Sequence, residues 1–184
     1  MTQNQLIAII VAVLAVVAVA LFYLRTQKSK RLREHFGPEY ERAVSEAGSA
    51  RGEAKLEKLE KRVKKYDIHP LDRAARERYI EQWRLVQARF VDDPNATVIE
   101  VDRLLGEVMA ARGYPVADFE QQAADLSVNH PFVIEHYRAG HTIAESHAQG
   151  HATTEDLRQA LIHYRALFDE LVDERTRAAV ATRY

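Results

Sequence analysis

Apolar residues form one unbroken run near the start of the chain, from Leu6 to Leu24, with no charged side chain inside it. At a rise of about 1.5 Å per residue, a helix over this run spans roughly 28 Å, close to the hydrocarbon thickness of a bilayer. A single segment in lipid can pair all of its backbone polar groups only as a helix. The pattern therefore predicts one transmembrane helix over residues 6–24, after a short tail at residues 1–5.

Downstream of this run, apolar residues recur every three or four positions among charged ones, as in amphipathic helices. Turn and capping residues divide the pattern, among them Gly37-Pro38, Gly48-Ser49 and Asp93-Pro94. We expect helices over residues 25–36, 39–47, 50–66, 72–91, 94–112, 115–126, 131–148 and 153–172. No segment alternates with the period of two that a strand requires.

The predicted fold class is therefore all-α. A basic helical arm at residues 25–66 follows the single N-terminal transmembrane helix. An irregular bundle of about five helices occupies residues 67–172, and a charged tail covers residues 173–184. Gly140, inside one bundle helix, costs about 1 kcal/mol relative to alanine, so we expect a close helix crossing there.

The basic residues that follow the apolar run indicate its direction. They are Arg25, Lys28, Lys30, Arg31 and Arg33, whereas residues 1–5 carry no basic side chain. Positive flanks stay on the cytoplasmic side, so we predict an external N-terminus and a cytoplasmic body. These five side chains are the predicted membrane-surface residues, facing anionic headgroups.

A cleaved signal peptide is the competing interpretation of the apolar run. Ala18-Val19-Ala20 resembles a cleavage site, but the residues before the run lack a positive charge and apolar residues 21–24 follow the site. These features favour an uncleaved anchor.

Charge is distributed unevenly over a chain whose net charge is only −1. Residues 25–66 carry 13 Lys and Arg against 7 Asp and Glu, whereas residues 67–184 carry 13 Arg against 20 Asp and Glu. A basic arm beside the membrane and an acidic body follow from this division. The acidic body argues against nucleic acid as a partner. The chain has no cysteine, which excludes disulfides and cysteine-ligated metal sites.

One narrow apolar stripe lies within the charged arm. Leu56, Leu59, Val63 and Tyr66 recur at intervals of three, four and three residues. The stripe is too short for a coiled coil, which needs about three to four heptads. It is a candidate interaction surface, and self-association through it is one interpretation, but packing onto its own domain is the favoured one.

Histidines supply the candidate chemistry, because the common catalytic and phosphate-binding motifs are absent from the sequence. Six of the eight histidines lie between His130 and His163. The i,i+4 spacing of His141 with Glu145, and of His147 with His151, matches two metal ligands on one helical face. Gly150 falls inside the second pair, and no third ligand is fixed by spacing. Solvated histidines are the alternative interpretation.

Several stretches of the chain resemble an uncharacterised family of bacterial helical proteins that are membrane-anchored or exported. They are ARERYIEQWRLVQARFVDDP and EVDRLLGEVMAARGYP after Arg73, DFEQQAADLSVNHP at Asp118–Pro131, and TEDLRQALIHYRALFDELV at Thr154–Val172. The resemblance covers most of residues 32–172. It implies a bacterial origin and a membrane-tethered helical body. The family has no assigned activity, so no residue role is carried over.

Two functional hypotheses follow. The first is a non-catalytic membrane-tethered interaction or scaffold module in the bacterial inner membrane. Its partners are the lipid bilayer and another protein, and self-association stays open. The second is a ligand-binding or metal-binding bundle, or an enzyme, with a pocket near His136, His141 and Glu145. No cofactor is expected in either case.

Overall fold

The computed structural model describes the backbone of residues 3–173 and the side chains of residues 12–173. Within these residues it contains eight helices and no strand, so the all-α prediction is confirmed. The predicted C-terminal tail, apart from Asp173, lies outside the described residues. The chain divides into two compact units, Met1–Glu57 and Lys58–Tyr184.

The helices follow the predicted order. They are α1 (Gln3–Phe36), α2 (Pro38–Ala47), α3 (Ser49–Val63), α4 (Arg73–Arg89), α5 (Pro94–Ala111), α6 (Phe119–Asn129), α7 (Ile134–Ala148) and α8 (Thr154–Val172). Helix α1 is continuous across the apolar run and the first basic residues, as the sequence indicates. The boundary between the two units falls inside α3.

Capping side chains set most of the helix starts. Asp72 and Asp93 accept hydrogen bonds from the backbone N–H groups of Ala75 and Ala96. Thr153 forms a capping box with Asp156 at the start of α8. These three starts were predictable because such residues satisfy N–H groups that have no partner within the helix.

Two predicted helix starts are wrong. Helix α6 begins at Phe119 rather than at Pro115, because the Asp118 carboxylate caps it by accepting from the N–H of Gln121. Helix α7 begins at Ile134 rather than at Pro131, and residues 131–133 form a turn. A proline tolerates the first helical turn but does not oblige a helix to begin there.

The first unit combines an exposed apolar segment with a small buried core. The side chains of residues 12–24 are all exposed, whereas Leu32 and Phe36, further along α1, are fully buried. Tyr40 and Ala43 of α2 are buried as well. The same helix therefore changes from an apolar exposed surface to a core element without a break.

Acidic side chains connect α3 to α1 within this unit. The Glu53 carboxylate is only 8% exposed and accepts hydrogen bonds from the Ser29 hydroxyl at 2.6 Å and the Tyr40 hydroxyl at 3.0 Å. Glu57 forms an ion pair with Lys28 at 2.9 Å. Burial, reinforced by the Glu53 carboxylate, raises the pKa of Tyr40, so its hydroxyl stays a donor.

The second unit has one core, built from α4 to α8 and the linker before α4. Trp83 stacks on Phe168 with ring centroids 4.6 Å apart. The largest fully buried side chains of this unit come from α5, α6, α7 and α8, which is how a bundle hides one apolar face of each helix. Trp83, which is 4% exposed, is therefore a core side chain.

The C-terminal end of α8 is closed by Arg76 of α4 and by Arg112, the residue that follows α5. Arg112 is 6% exposed and donates to the Leu171 carbonyl at 2.8 Å. Arg76 donates to the Val172 carbonyl at 2.7 Å. The last carbonyls of a helix lack hydrogen-bond donors within the helix and carry a partial negative charge. The two arginines supply both the donors and a compensating positive charge.

Gly140 permits the close approach of α7 and α8. A Cβ at position 140 would lie 2.9 Å from two ring carbons of Tyr164. Tyr164 is fully buried, and its hydroxyl donates to Asp102 of α5 at 3.0 Å. The expected close helix crossing at this glycine is thus present, and its partner is an aromatic ring.

We predict that Gly140→Ala destabilises the second unit by about 1–3 kcal/mol, because the ring of Tyr164 has no free space to move into. Gly106→Ala is the matched control: this glycine is inside α5, and a Cβ there would meet nothing within 4 Å. Helix propensity alone predicts a gain of up to about 1 kcal/mol for the control. Urea unfolding followed by the fluorescence of Trp83, the only tryptophan, measures both. Equal effects of the two substitutions would contradict the packing argument.

Candidate functional site

The histidine-bearing side of α7 and α8 is the best defined polar site in the second unit. His136 of α7 and His163 of α8 face each other, with their Nδ1 atoms 3.0 Å apart. The ring centroids are 5.3 Å apart and the rings are tilted by 37°. His136 is exposed and His163 is half-buried, so the pair is accessible from solvent.

Only one proton can occupy the space between two nitrogens at this distance. One ring N–H donates and the other nitrogen accepts, so at least one ring is neutral. Burial lowers the pKa of His163, and the neighbouring His136 lowers it further. His163 therefore prefers its neutral form, which is the form that binds metals and accepts protons.

His141 occupies a different environment, one helical turn beyond Tyr137 of α7. Its ring stacks on Phe119 of α6, with centroids 3.5 Å apart and planes within 8° of parallel. Its Nε2 lies 3.6 Å from a carboxylate oxygen of Glu145. Its Nδ1 is buried and has no hydrogen-bond partner among the described residues. The predicted pair of His141 and Glu145 does share one face of α7.

His147 and His151 are not on one regular helix. Helix α7 ends at Ala148, and Gly150 has a positive φ of 76°, so His151 lies beyond the turn that ends the helix. Among the described residues, no three His, Asp or Glu side chains are grouped closely enough to hold a metal ion. The four predicted ligands, His141, Glu145, His147 and His151, are therefore not gathered into one such cluster.

His130, the residue that follows α6, is a deeply buried histidine. His130 is 5% exposed, and its Nδ1 lies 3.1 Å from a carboxylate oxygen of Glu170. Burial lowers the pKa of His130; the nearby Arg112 adds to this effect and Glu170 opposes it. Its Nε2 is buried without a hydrogen-bond partner in the described part of the chain. The arrangement holds a neutral imidazole that donates to a carboxylate.

Asp125 forms the other buried polar cluster. Its side chain is almost fully buried and accepts from Arg62 at 3.0 and 2.5 Å, from Tyr66 at 3.2 Å and from Gln121 at 2.9 Å. All of these groups lie in the second unit, where they join the residues after Lys58 to α6. Three side chains donate to this one carboxylate, and Arg62 also donates to the Gln121 side chain at 2.9 Å, so the cluster is a structural clamp.

The predicted membrane-surface residues lie along α1, and three of them form ion pairs. Lys28 pairs with Glu57, Lys30 with Glu34 at 3.8 Å, and Arg33 with Glu41 at 3.0 Å. Exposed ion pairs contribute about 0–1 kcal/mol, so these basic side chains can readily leave their carboxylates and pair with other anions. The contact of these basic residues with lipid stays a prediction.

The predicted interaction stripe is covered by the protein itself. Leu56, Leu59 and Val63 are 2%, 7% and 4% exposed, and Tyr66 is half-buried with its hydroxyl on Asp125. A partner could reach these side chains only after the protein had opened. The stripe fits internal packing, the interpretation that the sequence already offered for it.

Sequence reasoning missed the partners of the polar residues rather than the residues themselves. His163, Phe119 and Asp125 lie 27, 22 and 63 residues away from His136, His141 and Arg62. Helical periodicity relates only residues on one helix, so no spacing in the sequence could have linked these pairs.

Comparisons of the chain with protein-family models, with curated proteins and with solved structures find no match. The resemblance seen in the sequence therefore stays an expectation, and the functional argument depends on the structure alone.

We predict that protonation of His130 destabilises the second unit. Because the folded-state pKa lies below the ordinary value of 6.5, the unfolded chain binds more protons as the pH falls past that value. The free energy of unfolding should therefore decrease between about pH 7 and pH 5. The variant His130→Gln should lose part of this slope, whatever its absolute stability. His147→Gln, a substitution at the half-exposed end of α7, is the control and should retain it. Parallel pH profiles for all three proteins would refute the assignment.

Proposed function

We propose that the chain is a membrane-tethered helical module that holds a protein partner at the cytoplasmic face of a bacterial inner membrane. The observation that carries the proposal is the exposure of the apolar part of α1. Val16, Val19 and Phe22 are 69%, 69% and 71% exposed. A helix of this length and composition is suited to crossing a bilayer, which would cover these side chains.

A core helix of a soluble protein can have the same length and apolar composition, but it would be mostly buried. Here the apolar part of α1 is exposed throughout residues 12–24. A cleaved signal sequence is the remaining alternative. Cleavage after Ala20 would leave Leu21, Phe22, Tyr23 and Leu24 exposed at the new N-terminus, each more than half exposed in the structure. Apolar exposure of this kind favours an intact anchor.

The orientation of the proposed anchor follows from its charged flank. The basic residues of α1 begin at Arg25, directly after the apolar segment. The positive-inside rule then assigns the folded units to the cytoplasm. The lack of cysteine is compatible with a reducing compartment.

The outward face of α8 is the surface we propose for the protein partner. Ile162 is 49% exposed on this face. Ion pairs Arg158–Glu155 and Arg165–Asp169, at 2.6 and 3.2 Å, lie on either side of it along the helix. Protein interfaces often combine an apolar centre with arginine and a polar rim. The stripe on α3 is less suitable because it is already buried.

The orientation can be tested with single cysteines, because the natural chain has none. We expect Thr2→Cys to react with a membrane-impermeant maleimide in intact spheroplasts. Ala148→Cys, on the exposed end of α7, should react only after lysis. The reverse pattern would overturn the orientation. Loss of the Thr2→Cys label together with a shorter chain would show that the anchor is cleaved.

The partner surface can be tested by crosslinking and affinity purification of the full chain from cells. We expect Ile162→Asp to abolish recovery of the partner. Ile99→Asp is the matched control, since Ile99 is 66% exposed on α5 and receives the same change. A version that starts at Lys28 should recover the partner poorly, because it lacks the apolar segment. Recovery that is unchanged by Ile162→Asp would exclude this face of α8.

A further inference from the structure

The juxtaposition of His136 and His163 carries an inference that is independent of the proposed tethering function. Their Nδ1 atoms are 3.0 Å apart and belong to two different helices. His136 is exposed and His163 is half-buried, so both rings are accessible. Two accessible imidazole nitrogens at this separation are a pair of potential metal ligands.

The separation of the nitrogens matches the geometry of a bound transition metal. Metal–nitrogen distances to histidine are about 2.0–2.1 Å, so two ligands at right angles place their nitrogens about 2.9 Å apart. A tetrahedral ion would separate them by about 3.3–3.4 Å. The observed 3.0 Å is an ordinary hydrogen-bond distance, and it also lies within the range that two adjacent ligands on one metal ion span.

We propose that His136 and His163 form a two-histidine site for a divalent transition metal, with water completing the coordination. The metal takes the place of the proton that the two Nδ1 atoms share, and it links α7 to α8. The described residues contain no group of three His, Asp or Glu ligands, so the site is open and accepts exogenous ligands. The order of affinity expected from nitrogen ligands is Cu²⁺ above Ni²⁺, with Zn²⁺ below Cu²⁺.

The packing of α7 on α8 fixes this separation in advance. Gly140 lies one turn beyond His136 on α7, and it contacts the ring of Tyr164, which directly follows His163 on α8. The buried tyrosine is itself held by its hydrogen bond to Asp102. Because the helices are fixed at this contact, the backbone positions that carry the two histidines are already set. Preorganised ligands bind metals more tightly than mobile ones.

Protons compete with the metal at such a site. Metal binding requires neutral imidazole, and His163 favours the neutral form because burial and His136 both lower its pKa. The affinity of the site for metal should therefore fall as the pH is lowered, because protons and the metal compete for the same ring nitrogens.

The test uses the full chain in detergent micelles, without a histidine tag, titrated with CuCl₂ or NiCl₂ by calorimetry. We expect one ion per chain. His136→Asn and His163→Asn should each weaken binding by at least about tenfold, since even the loss of a residue that merely orients a metal ligand costs about 10–100-fold. The His147→Asn/His151→Asn double variant is the control and should bind like the natural chain.

Copper electron paramagnetic resonance distinguishes this site from binding elsewhere. The spectrum should show coupling to two nitrogens in the natural chain and fewer in either single variant. Unchanged affinity in both His136→Asn and His163→Asn would overturn the proposal, as would loss of binding in the control double variant. Because His136 is exposed, its substitution should not disturb folding, which circular dichroism verifies.

Discussion

The contact of Tyr164 with Gly140 is the interaction on which the second unit depends. The ring fills the space that a side chain at position 140 would need, and its hydroxyl reaches Asp102. One tyrosine thus ties α5, α7 and α8 together at a single point. The separation of His136 and His163 is a consequence of this contact, so the packing of the core and the chemistry on its surface are not independent.

In the first unit, the organising constraint is the placement of charge on α3. The Glu53 carboxylate accepts hydrogen bonds from two hydroxyls of neighbouring helices, and Glu57 forms an ion pair with Lys28 of α1. Arg51 and Lys55 of α3 are exposed. A sequence in which acids and bases alternate therefore produces a helix whose outward side is basic. Such a surface suits a protein that lies beside anionic headgroups, which attract basic side chains within about one Debye length.

Local signals in the sequence predicted the fold well, and non-local contacts explain what they missed. The starts at Asp72, Asp93 and Thr153 were predictable because a cap needs only residues within one turn. The start of α6 was placed too early because Pro115 is permissive, whereas Asp118 provides the cap. The histidine site was half visible: His136 was noted, but His163 comes from another helix that only the tertiary packing brings near.

Arg76 and Arg112 donate to the last carbonyls of α8, so these two arginines gain their partners only when this helix is present. The folding of the second unit therefore depends on its last described helix. The last described helix supplies Tyr164, Leu167 and Phe168 to the core, so α4 to α7 cannot complete the burial of their apolar faces until α8 has been synthesised. The apolar segment of α1 is by then long out of the ribosome. During synthesis, the unfinished bundle therefore keeps apolar surfaces uncovered until α8 emerges, a period in which chaperones would find their binding sites.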